Sequence, residues 1–135
     1  MAAITPYQLM GGESAIQNLV DRFYFYMDVL PEAQGIRKMH SANLSSAKNK
    51  LFKFLSGWLG GPNLFIEEYG HPMLRRRHLP FAIGAAERDQ WMLCMNKALA
   101  EVSMSEQLRN ELQFALQQLA THMINKDDLV QISES

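Results

Sequence analysis

The chain has 135 residues, 47% of them apolar and 20% charged, with a formal net charge of -1. That size and balance fit one soluble domain, residues 1–135, with a single core, and they argue against nucleic acid as a partner, which calls for a basic protein. No apolar run nears the roughly 20 residues of a bilayer span, and the N-terminus lacks a basic region followed by an apolar stretch; with Cys94 as the single cysteine, a reducing, cytoplasmic setting is the simplest reading, with no membrane partner.

Thr5-Pro6-Tyr7-Gln8 reads as a helix start, with Thr5 as cap, Pro6 at the first helical position and Gln8 as capping-box partner. Gly11-Gly12 ends that short piece. Ile16, Leu19, Val20, Phe23, Met27 and Leu30 then recur at helical spacing until Pro31 stops the run. Residues 32–44 look irregular, with one short turn near Ile36 to Met39. Ser45 or Ser46 can cap a second long helix, whose apolar face is Ala47, Leu51, Phe54, Leu55 and Trp58 and whose end is Gly60-Gly61-Pro62-Asn63. Residues 64–82 carry Gly70, Pro72 and Pro80 and read mostly as loop. A structureless stretch of that length in a compact domain tends to be functional. A third long helix runs from about Ala85 to Val102, with Trp91, Met95, Ala98 and Val102 on one face. Ser103-Met104-Ser105-Glu106 reads as a capping box for a fourth, which carries Leu108, Leu112, Ala115, Leu119 and Met123. The tail, about 126–135, is polar and should fray. With no strand alternation anywhere, the fold class is all-α.

The irregular stretch holds the densest chemistry. Gly70-His71-Pro72-Met73-Leu74-Arg75-Arg76-Arg77-His78-Leu79-Pro80-Phe81 sets a His after three arginines and closes it with Leu-Pro-Phe. Imidazole is a nitrogen ligand suited to iron, and a His held among apolar groups can serve as an axial ligand of haem. Haem also carries two propionates, which arginine forks match. A solvated basic loop with an incidental His would look the same in sequence. Tyr24 lies about 100° round the helix from Phe23, so its ring can pack while its hydroxyl reaches the edge of a cavity. Its O–H, and the indole N–H of Trp91, are donors of the kind that stabilise a polarised diatomic ligand. Both residues could equally be core aromatics whose polar tips meet water or backbone. A zinc site drawn from His40, His71, His78 and Cys94 matches no tight spacing. His122 reads as structural, and Cys94 as a small buried hydrophobe.

These residues together resemble the truncated haemoglobins, specifically the second bacterial group, over residues 7 to about 125. The markers are Gly11-Gly12, Arg22-Phe23-Tyr24, Leu59-Gly60-Gly61-Pro62, Gly70-His71-Pro72, Arg77-His78-Leu79-Pro80-Phe81 and Glu87-Arg88-Asp89-Gln90-Trp91, in that order. The resemblance implies a two-over-two helical sandwich around haem b. It implies His78 as the proximal iron ligand and Tyr24 and Trp91 as distal donors. Ala47 falls at the usual distal-histidine position of large globins, and Leu51 one turn on. His40 falls at the corner after the first long helix, as a third donor or as a direct sixth ligand of iron. Arg75 and Arg77 are expected at the propionates. Phe54, Leu55, His71, Leu74, Phe81, Ile83 and Met95 are expected around the haem. The ligands expected are dioxygen, nitric oxide, carbon monoxide or peroxide, with an unidentified reductase as redox partner. Several donors over the open face would slow ligand escape, which suits redox chemistry on nitric oxide or peroxide better than bulk oxygen transport. A non-catalytic oxygen store or sensor, or a cofactor-free helical interaction module, are the alternatives.

Overall fold

The computed structural model describes residues 4–126, and among them every regular element is helical. Helix α1 (Pro6–Met10) starts as expected. The Thr5 side chain accepts from the Gln8 N–H at 3.2 Å, and the Gln8 side chain accepts the Thr5 N–H at 3.0 Å. Helix α2 (Glu13–Val29) buries Ile16, Leu19, Val20, Phe23 and Met27, all at or near zero exposure. After it come a single 3₁₀ turn (Pro31–Ala33) and α3 (Gln34–Arg37), slightly more structure than the one expected turn.

Helix α4 (Ser45–Trp58) corrects the expected cap. Ser45 is its first residue and Leu44 its cap position, with no side-chain cap bond from either serine. The Asn43 side chain takes the Ser45 N–H at 2.9 Å instead, an Asx turn that satisfies the helix start one residue earlier. Its end is set by close approach: at Gly60, whose φ is +94°, an added Cβ would stand 2.7 Å from Thr5 Cβ. The Tyr7 N–H bonds the Leu59 carbonyl there at 2.9 Å, so α1 closes over the end of α4.

The stretch 64–82 is not mostly loop. It contains α5 (Leu64–Tyr69) and α6 (Leu74–His78). Neither is long enough to be stable alone, and α5 exists because Phe65 packs edge-on to Phe54 of α4. Helix α7 (Ala85–Ala100) ends two residues before the expected Val102. Helix α8 (Glu106–His122) is capped by Ser105, which accepts from the Leu108 N–H at 3.1 Å; Ser103 is not the cap. The core face of α8 is Leu108, Leu112, Leu116 and Ala120, with Ala115 and Leu119 half-buried.

Helix α2 lies against both α4 and α7, and α7 lies against α8. The two pairs, α2 with α4 and α7 with α8, stack into the expected two-over-two arrangement. Helix α7 is sandwiched, so Met92, Cys94, Met95, Ala98 and Leu99 are all buried. Helix α4 differs: Leu55 is buried, yet Ala47, Leu51 and Phe54 are only half-buried. An apolar stripe that faces inward and is still half-exposed borders a space, and that space is the site. No helix among the described residues is long and apolar enough to cross a membrane.

Candidate functional site

A cavity of about 540 Å³ opens between α2, α4, α6 and α7. Its floor and sides are apolar: Ala47, Leu51 and Phe54 from α4, Leu74 from α6, and Phe81 and Ile83 from the segment before α7. Two aromatic donors come from the long helices α2 and α7. Tyr24 is 5% exposed and packs edge-on to Phe23, with ring centroids 4.9 Å apart. Trp91 leans on the same Phe23 ring at 5.1 Å, so one buried phenyl spaces both. Among the described residues no buried side-chain polar atom lacks a partner, and neither Tyr24 nor Trp91 bonds to another side chain or to backbone. Their O–H and N–H are therefore open to the cavity. Burial pushes the Tyr24 phenol well above its ordinary range, so it stays protonated and remains a donor.

Two histidines line the same space, and each has a settled tautomer. His78 Nδ1 lies 2.6 Å from the Leu74 carbonyl, one turn back on α6. A carbonyl only accepts, so Nδ1 carries the proton, and Nε2 of the neutral ring is left with a lone pair. His40 repeats the arrangement, with Nδ1 2.9 Å from the Ile36 carbonyl. In the neutral ring its Nε2 is thus an acceptor or a metal ligand, and it becomes a donor only when the ring is protonated. The expectation of His40 as a third donor is narrowed accordingly. Gln90 supports this corner: its Oε1 accepts the Ile36 N–H at 3.0 Å, and it packs so tightly on Gly35 that a Cβ there would stand 2.7 Å away.

Positive charge gathers around the slot, though not as expected. Arg77 lines the cavity and is held by the Pro72 carbonyl at 2.6 Å, with its guanidinium over the Phe65 ring. Arg75 does not line it. Its Nη1 is turned to the end of α8, donating to the Ile124 carbonyl at 2.6 Å and the His122 carbonyl at 3.2 Å. Lys50 and Arg88 line the cavity and were missed in the sequence. Both had a signal: Lys50 is one turn after Ala47, and Arg88 one turn before Trp91.

Three other expected residues stand elsewhere. Leu55 and Met95 are buried in the core and do not line the cavity, because their side of α4 and α7 faces other helices. His71 is exposed and outside it; only its carbonyl is used, by Arg77 at 3.4 Å. Ile36, Met39, Phe65, Leu119, Ala120 and Met123, with the carboxylate-bearing Glu87, complete the walls without having been singled out for them. Among the described residues no cluster of three or more His, Cys, Asp or Glu could hold a metal ion, which removes the zinc alternative.

The residues present fit haem: an apolar slot within the size range of cofactor pockets, an imidazole with a free lone pair, open donors, and cations beside it. Comparison with known proteins gives the same answer. The bacterial-like globin family model matches residues 5–125. Group 2 truncated hemoglobin YjbI of Bacillus subtilis (strain 168) is 37% identical over 123 residues, 91% of this chain and 90% of that protein. The cold-adapted truncated hemoglobin of the Antarctic marine bacterium Pseudoalteromonas haloplanktis TAC125 superposes with a TM-score of 0.90 at 46% identity, over 92% of this chain and 100% of that one. A truncated oxygen-avid haemoglobin from Bacillus subtilis superposes with a TM-score of 0.82 at 38% identity, over 90% and 100% of the two chains. The chain belongs to the bacterial-like globins, and among them to the haem-binding, two-over-two truncated haemoglobins of group II.

Proposed function

We propose that His78 would hold the haem iron, that Tyr24 and Trp91 would donate to a diatomic ligand bound there, and that the ligand is retained for redox chemistry rather than delivered. One observation carries this reading: an imidazole whose Nδ1–H is committed to Leu74 shares a slot with two donors that have no protein partner. Haem, when bound, supplies an iron that takes such a ligand and changes oxidation state. The chain's own residues do the rest. The Leu74 carbonyl fixes the orientation and tautomer of the His78 ring. Tyr24, kept protonated by burial, and Trp91 offer two donors to one polarised atom. Lys50, Arg77 and Arg88 supply charge for the propionates. His40, its ring 5.7 Å from that of Tyr24, centroid to centroid, offers Nε2 as a further ligand or acceptor beside the bound molecule.

Dioxygen is the proposed primary ligand, in keeping with the oxygen-avid relative from Bacillus subtilis. Nitric oxide, carbon monoxide and peroxide are of the same class. Two donors slow release, which favours nitric oxide dioxygenation or peroxide reduction, with electrons from a separate reductase. The test is an absorption spectrum of the haem-loaded protein followed by assays of nitric oxide and peroxide consumption with an external reductant. A globin-like Soret band with turnover of either substrate is expected. Oxygen binding without any turnover would instead favour a store or sensor, and a folded protein that takes up no haem would overturn the reading.

A further inference from the structure

We propose that Asn125 is a positioning residue for the proximal histidine, setting where His78 presents its free nitrogen. This rests on reading His78 as the iron ligand. Helix α6 has five residues, and none is buried. It has no side-chain cap at its start, where Met73 adopts a left-handed φ of +45°. Such a helix has neither the length nor the packing to hold itself in place. The His78 ring is fixed relative to α6 by its bond to Leu74, so the position of α6 decides the position of Nε2.

The anchoring comes from 47 residues away. Asn125 Nδ2 donates to the carbonyl of His78 itself at 3.1 Å and to that of Phe81 at 2.9 Å. Its Oδ1 accepts the Ile83 N–H at 3.0 Å. The Ile83 carbonyl in turn accepts the backbone N–H groups of Asn125, at 2.8 Å, and Lys126, at 3.0 Å. One short amide thus uses two donors and an acceptor to close the segment 78–83 around itself. Asparagine suits this place: aspartate offers no donor, and serine has a single one. Arg75 ties the other end of α6 to the same segment after α8 through the His122 and Ile124 carbonyls. Asn125 is the member of the set that touches the histidine residue directly, through its carbonyl.

The experiment uses the full-length, haem-loaded ferrous protein. Asn125→Ala and Asn125→Asp should both shift or broaden the iron–histidine stretching band in resonance Raman spectra. Asn125→Asp, which loses two modest hydrogen bonds, should also speed haem transfer to apomyoglobin by roughly tenfold, and Asn125→Ala, which loses three, by at least as much. Asp keeps the size and the acceptor for Ile83, so its agreement with Ala would assign the effect to the lost donors. Leu116→Ala, in the buried face of α8, should lower stability without moving the band. In His78→Gly rescued by added imidazole, the ring is no longer tethered to the chain, and Asn125→Ala should then leave the iron–imidazole band where it is. Wild-type bands and haem-transfer rates in both Asn125 variants would overturn the proposal. So would an equal band shift in Leu116→Ala. A wild-type band in His78→Gly without imidazole would overturn the ligand assignment instead, whatever Asn125 does.

Discussion

The two walls of the cavity are held by opposite means. The wall with Tyr24 and Trp91 rises from α2 and α7, long helices whose adjoining residues Phe23 and Met95 are wholly excluded from solvent. The wall with His78 rises from α6, which buries nothing and is clipped by Arg75, Arg77 and Asn125. A large buried side chain is worth several kcal/mol, and a net hydrogen bond about 0.5–1.5 kcal/mol. The donor wall is therefore rigid before any cofactor arrives, while the imidazole wall belongs to the low-stability end of the molecule and gains order from what binds there.

The largest way to break this contrast is Phe23→Ala. Deleting the ring that spaces Tyr24 from Trp91 should cost about 3–5 kcal/mol in urea unfolding of the apoprotein. His78→Ala should change the same measurement by less than about 1 kcal/mol, since α6 is not part of the core, yet it should abolish tight haem retention. Similar stability losses in the two variants would dissolve the distinction between the walls.

Cys94 sharpens it from the rigid side. Burial, with the field of Glu32 as a smaller cause, pushes its thiol up to about 11. A raised thiol pKa means the reactive thiolate forms only as pH climbs toward that value. At pH 8 the folded protein should therefore react with iodoacetamide about a hundredfold more slowly than the urea-unfolded chain. Rapid labelling of the native state would show that α7 opens readily.

Gly35→Ala tests the corner that bears His40. The new Cβ would meet Gln90 Oε1 at 2.7 Å, and that oxygen holds the Ile36 N–H. The Gln90 amide must swing away and give up that bond, so a loss of about 1 kcal/mol is expected, with a change in the His40 ring resonances followed by NMR. An unchanged His40 signal would mean that Gln90 does not orient it.

The smallest effects concern the donors themselves. Trp91→Phe or Tyr24→Phe should raise the oxygen release rate roughly three- to tenfold in stopped-flow experiments, with little change in stability. The double variant need not be additive, because both donors share one acceptor. Unchanged release in both single variants and in the double would leave the two aromatics as lining alone.

Much of the rigid wall was legible in the chain, and little of the clipped one. Phe23, Leu51 and Trp91 announce their helices because a long amphipathic helix repeats its signal over many turns. Helices α5 and α6 give one or two turns each beside Gly70 and Pro72, so local pattern reads them as loop. The resemblance also placed Leu55 and Met95 around the haem, although each faces another helix. Periodicity says which face of a helix is inward and is silent on whether core or space stands opposite. Arg75 and Arg77 show the same limit. They are two residues apart on one turn of helix, but one reaches the cavity and the other the end of α8, according to which carbonyls lie near. Asn125 carries no local signal, since its three partners lie more than 40 residues away.

The resemblance, not spacing, groups Tyr24 and Trp91 with His78; by itself the sequence determines the all-α class, the four long helices and the capping box at Thr5. These follow from spacing within single segments, where local sterics and burial act. Tertiary structure alone decides which arginine meets the cavity, and that Lys50, Arg88 and Asn125 belong to the site. Each of those depends on a hydrogen bond or an open space between elements distant in the chain, and only the folded packing brings such partners within bonding distance.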